Sequence, residues 1–119
     1  MDNIESELKK IRYHLKLLGE AIDYREHPIE YLVVHLNWSE AQLECAHDIF
    51  EEARNAIDDG RGVNWTQFQH KLRDALQIGY QTVKLIVLAF YRNHQWTDVC
   101  KQYAEAHECS EFHEITRKE

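Results

Sequence analysis

Residues 4–22 read IESELKKIRYHLKLLGEAI. Ile4, Leu8, Ile11, Leu15, Leu18 and Ile22 recur at intervals of four, three, four, three and four. That is the spacing of a left-handed helical seam held for almost three heptads. Lys9, Lys10, Arg12, Lys16 and Glu20 occupy the other faces. So narrow an apolar stripe needs other helices against it, from the same chain or from a copy. Asp2 and Glu5 form a capping pair, and the helix is expected to run to about Arg25, because Pro28 drives the residue before it out of the α region.

Pro28 suits the first turn of a second helix, whose apolar face is Ile29, Leu32, Val33 and Leu36. Ser39 and Gln42 then make a capping box, with Trp38 placed to staple onto Leu43. Leu43, Ala46, Phe50, Ala53 and Ile57 carry the third helix. The clearest linker is Asp58-Asp59-Gly60-Arg61-Gly62. Asn64 and Gln67 cap a fourth helix bearing Phe68, Leu72, Ala75 and Leu76, with Val63 as its staple.

Residues 83–91 are apolar except for Lys84. No other segment offers a partner strand, and a lone strand leaves its backbone groups unsatisfied, so the run is read as a helix capped near Gln81 and Thr82. A helix apolar all round must be covered all round. In a chain of 119 residues this points to burial by a second subunit, which puts Leu85 and Leu88 on the oligomer seam with the six residues of the first helix. After a turn at Asn93, His94 and Gln95, a last helix carries Trp96, Val99, Cys100, Tyr103 and Ala104 to about His107. The expected architecture is an all-α bundle of five or six helices, homo-oligomeric, with one domain over 1–108 and a polar, frayed tail over 109–119.

One Pro and four Gly leave long stretches unpunctuated, as helices require. No apolar run reaches the length of a membrane span and no secretory apolar segment opens the chain, so a cytoplasmic protein without membrane association is expected. Cys45, Cys100 and Cys109 are odd in number and lack CxxC pairing, which opposes a disulfide framework. The net charge of −7 is uneven. Residues 26–60 hold nine acids against Arg54 alone, whereas residues 1–25 and 61–119 are nearly balanced. Such a segment opposes nucleic acid and suits a basic protein partner.

With these landmarks in place, the chain resembles the YhaI-like family of small proteins from Bacillus and its relatives. The likeness covers about residues 1–105. It rests on Met1-Asp2 and the heptad helix, the His27-Pro28 break, Leu36-Asn37-Trp38-Ser39-Glu40, Val63-Asn64-Trp65, and the run from Lys84 to Tyr91. It implies an all-helical, oligomeric protein and brings neither a known activity nor catalytic residues.

Glu40, Glu44, Asp48 and Glu52 form an acidic stripe at i, i+4. Its ordinary reading is a solvated helix face; its functional reading is a docking surface for basic side chains, joined by exposed Trp38 and Trp65. A helix-turn-helix over 28–57 is opposed by Glu40, Glu44 and Asp48 on the would-be recognition helix. Glu44-x-x-His47 has the spacing of a carboxylate-bridged di-iron ligand pair, but no second such pair follows, so only a symmetric copy could complete it. Cys100, His107, Cys109 and His113 are spaced poorly for zinc. Gly60-Arg61-Gly62 is too short for a phosphate loop. The expectation is a non-enzymatic adaptor, regulator or inhibitor acting through protein–protein contacts, with no cofactor. The alternatives are a small-ligand, nucleotide-like sequestering protein of the phage counter-defence type, with a pocket between subunits lined by Tyr, Trp, His and Arg, and a metal-dependent enzyme using Glu44 and His47.

Overall fold

Helix α1 spans Asp2–Ala21 in the computed structural model, which describes residues 2–117. It stops four residues short of the expected Arg25, and the reason is local. The Asp23 carboxylate accepts the backbone N–H of Arg25 at 2.8 Å and of Glu26 at 3.4 Å, a turn that competes with the helix. Ile22, the sixth seam position, therefore lies beyond the helix. The capping reading of Asp2 falls on a side chain outside the described residues.

Helix α2 (Pro28–Leu36) begins on its proline and ends at Asn37, whose φ of 55° is left-handed. The N–H of Trp38 then closes onto Val33 O at 3.0 Å, as in a Schellman stop. Helix α3 (Glu40–Asp58) starts with the expected reciprocal box: Ser39 Oγ accepts from Gln42 N, and Ser39 N donates to Gln42 Oε1. Gly60 and Gly62, at φ of 73° and 76°, turn the linker through a region that side chains resist. Asn64 Oδ1 accepts from Gln67 N and starts α4 (Trp65–Leu76). Helix α5 (Tyr80–Arg92) begins just after Gly79, a little before the expected cap. Helix α6 (Thr97–Ala106) is followed by a 3-10 turn (Ser110–Phe112) and the short α7 (His113–Thr116). Among the described residues there is no strand.

The core gathers on α5. Val83, Ile86, Val87, Leu88, Ala89 and Phe90 are all buried, against α2, α4, α6 and the 3-10 turn. An aromatic chain runs across it: Phe50 meets Phe90 edge-on at 4.7 Å and Phe68 at 5.0 Å, Phe68 meets Tyr103 at 5.5 Å, and Tyr103 meets Phe112 at 5.8 Å. Such edge-on pairs add to the stabilisation from area alone. This corrects the expectation that a second subunit covers α5. One chain covers it, and Leu88 is 6% exposed and thus no seam residue, while Leu85 stands 49% exposed.

The reading of residues 109–119 as a polar frayed tail is corrected for the described part. Phe112 is fully buried and Ile115 nearly so, which makes this segment part of the same core. Ion pairs hold its outer edge, Lys84 Nζ to Glu111 at 3.6 Å and Arg92 to Glu114 at 2.6 Å. Lys84 tolerates burial because its ammonium also lies 4.7 Å from the Tyr80 ring centre. The Glu111 carboxyl is held below its ordinary range, first by the Cys109 thiol, then by its own backbone N–H and by Lys84. A lowered carboxyl favours the fold above its unfolded value and loses that contribution as pH falls through the folded one.

Phe112→Ala should therefore cost about 3–5 kcal/mol in a urea titration, the range for a large aromatic lost from a packed core. Leu85→Ala, on the surface of the most buried helix, should stay within about 0.5 kcal/mol in the same titration.

Candidate interaction surface

Helix α1 is left over when the core is complete. Ile4 is 63% exposed, Leu8 47%, Ile11 49%, Leu15 56% and Leu18 64%. These five form one face of one helix, and none of the described residues covers it. The helix meets the body only near its C-terminal end. There Gly19 is buried, and a Cβ built on it would stand 3.1 Å from the Val34 side chain. His35 Nε2 lies 3.2 Å from Gly19 O across the same crossing. Glycine allows α1 and α2 to approach closely and leaves the preceding turns in solvent. The radius of gyration of 16.7 Å reflects this arm; a compact chain of this length has about 13.5 Å.

Glu40, Glu44, Asp48 and Glu52 are all exposed along α3. Glu52 pairs with Lys71 of α4. Among the described residues, Glu40, Glu44 and Asp48 make no ion pair. The two tryptophans do not join this stripe as exposed anchors. Trp38 is 8% exposed, because the left-handed turn at Asn37 carries its indole into the core. Trp65 is half-buried, edge-on to Phe68 at 5.3 Å and to Tyr103 at 6.0 Å. Both serve the starts of helices.

Two of the chemical candidates, His47 and Cys100, are engaged in structure, whereas His107 Nε2 is buried with no hydrogen-bond partner among the described residues. His47 Nδ1 accepts from Trp96 Nε1 at 3.0 Å, and its ring lies 4.9 Å from Phe90. That bond uses one imidazole nitrogen and holds Trp96 at a φ of 52°, a conformation bulky residues rarely adopt. Among the described residues of one chain, no three His, Cys, Asp or Glu side chains converge as a metal site. Cys100 is buried, its Sγ donating to Val87 O at 3.4 Å, and burial pushes its thiol up to about 12. It is packing, not a nucleophile.

One cluster was not read from the sequence. Tyr24, Tyr31, His35, Leu85 and Arg92 line a small cleft between α2 and α5. Tyr31 and His35 stack at 4.0 Å, Tyr24 meets Tyr31 at 5.8 Å, and the Arg92 guanidinium lies 4.9 Å over the Tyr24 ring. The i, i+4 pairing of Tyr31 with His35 was a legible signal; Tyr24, in a turn, and Arg92, on a distant helix, offered none. Arg92 is already held by both Glu114 oxygens.

Comparison of the chain with protein-family models, with curated proteins and with solved structures finds no match.

A thiol-reactive dye at pH 8 should label Cys45 and Cys109 in the native protein, since both are half-buried, and reach Cys100 only in denaturant. Rapid labelling of all three would contradict the packing role given to Cys100.

Proposed function

We propose that this chain is a non-enzymatic, self-assembling helical module of the cytosol that acts through protein–protein contacts. The observation that carries this reading is the uncovered apolar face of α1. A 20-residue helix in water is marginal on its own sequence and owes its stability to packing. Here packing reaches only its last turn. Each seam leucine or isoleucine offers about 1.5–3 kcal/mol on full burial, so a partner helix recovers what the body of the chain leaves unused.

The output surface in this reading is the acidic face of α3, Glu40, Glu44 and Asp48, which lies on the body and not on the arm. Joining copies through α1 multiplies that face. A basic protein with more than one docking point then binds several weak sites at once, and avidity grows without new contacts. Three free thiols fit a reducing compartment. Membership of the YhaI-like proteins belongs to the same proposal, supported by the helix starts at residues 36–40 and 63–65 and the run from Lys84 to Tyr91.

A second reading, a binder of a small aromatic or anionic ligand, is favoured by the Tyr24, Tyr31, His35 and Arg92 cleft, though this cleft lies within one chain. Native mass spectrometry of freshly purified protein tests it: a retained small molecule lost on Tyr31→Ala supports it, and a bare mass counts against it.

Light scattering tests the main reading, on the native protein and on the Leu15→Asp, Leu18→Asp double variant. The native mass should be a multiple of 14.2 kDa. The variant should be a monomer that still unfolds cooperatively, because the core does not include α1. A native monomer at every concentration overturns the assembly. Reversal of Glu40, Glu44 and Asp48 to Lys should leave the native mass unchanged, separating the docking face from the seam.

A further inference from the structure

We infer that the α1 seam is filled by α1 of a second copy of this chain, running parallel and in register. This rests on the assembly reading above and specifies its geometry. With the helix ending at Ala21, the seam has five layers: Ile4, Ile11 and Leu18 at the d positions, Leu8 and Leu15 at the a positions. Parallel strands in register set each layer against itself, so all five close. Antiparallel strands pair a layers with d layers. One such register matches Ile4 with Leu15 and Leu8 with Ile11, leaving Leu18 outside. The other matches Leu8 with Leu18 and Ile11 with Leu15, leaving Ile4 outside. Leu18 and Ile4 are the two most exposed of the five, at 64% and 63%, and in either antiparallel register one of them has no partner within Asp2–Ala21, so four layers close inside α1 where the parallel arrangement closes five.

The flanking charges favour this arrangement over one of the two antiparallel registers, whereas the register that matches Ile4 with Leu15 brings Arg12 beside the partner's Glu5, both at e. In this frame Glu7 is at g and Arg12 at e. Parallel strands bring g of one heptad beside e of the next heptad on the partner. Glu7 then faces the partner's Arg12, twice by symmetry. The antiparallel register that keeps Leu18 sets Arg12 opposite the partner's Arg12 instead, since antiparallel strands pair e with e. The third heptad has Gly19 at e and Ala21 at g, both small. Gly19 is where α2 crosses, so the seam is flanked by small residues at the place where the body of each chain must fit.

Cross-linking distinguishes the arrangements. In a Cys45→Ser, Cys109→Ser background, Leu18→Cys should form a disulfide between copies in most of the protein under mild oxidation. In either antiparallel register two residues 18 are separated by about 15 Å or more along the helices, beyond the roughly 7 Å that a disulfide spans between Cα atoms. A second measurement does not depend on cysteine. Glu7→Lys and Arg12→Glu should each weaken assembly about fivefold or more at low salt, and an equimolar mixture of the two should recover native affinity as a hetero-oligomer. In the parallel frame every pair in that mixture is again opposite in charge. An oligomer that neither cross-links at residue 18 nor recovers on mixing overturns the parallel register and leaves self-assembly standing. A native monomer by light scattering overturns both.

Discussion

The structure depends on covering α5. Seven of its thirteen residues are buried, and they project to nearly every side. No single neighbour can shield such a helix, so α2, α4 and α6 must all reach it, while α3 backs the far side of the aromatic chain through Phe50. Even then a gap remains, and residues 110–116 close it with Phe112 and Ile115. The C-terminal segment thus belongs to the core by necessity. Its ion pairs, Lys84 with Glu111 and Arg92 with Glu114, run from α5 itself, so the helix that needs cover also holds the edge of its cover.

That closure decides the status of α1. A helix whose apolar face was needed by the core would be wrapped across the bundle. Here the core is complete from α2 onward, and α1 is held by one close crossing, Gly19 against Val34. Its energetics are accordingly separate from those of the body. Core substitutions act on folding through cavities and lost packing. In the assembly proposed above, seam substitutions act on association, and their effect scales with concentration because a partner that binds only the folded form adds stability by mass action. A protein organised in this way can vary its state of assembly without unfolding.

Much of this was legible in the sequence, and the failures share a cause. The helix starts at Ser39 and Asn64 were readable because capping is decided within four residues. The heptad seam was readable because its period is local, although the Asp23 turn that cuts it before Ile22 competes at a single residue. What failed was inference about which elements cover which. The apolar run over residues 83–91 implies a helix covered on nearly every side, and one chain provides that cover for all but the face bearing Leu85. Residues 109–117 were passed over as polar, although one phenylalanine and one isoleucine, placed in the right gap, suffice to dock them. Trp38 reads from the sequence as either a helix-entry staple or an exposed anchor, and its burial fits the staple, because the left-handed turn at Asn37 sends it inward. The Tyr24, Tyr31 and Arg92 cluster joins a turn, a helix and a second helix far along the chain, which no local pattern announces.

The acidic stripe shows how position changes the meaning of a charge pattern. Glu40, Glu44, Asp48 and Glu52 repel one another by a few tenths of a kcal/mol per pair, an amount any folded helix absorbs. Lys71 relieves Glu52 from across the α3–α4 interface. The other three receive no such relief, so a basic partner gains more at the N-terminal half of α3 than at its C-terminal half. That same half holds the capping box and the beginning of the dipole, which already favours negative charge and lowers the self-repulsion of the free protein. Only Glu40 lies in the first turn, so Glu44 and Asp48 are left, among the described residues, with neither a cation nor the dipole. In the docking proposed above, this asymmetry favours an electrostatic centre nearer Glu44 than Glu52.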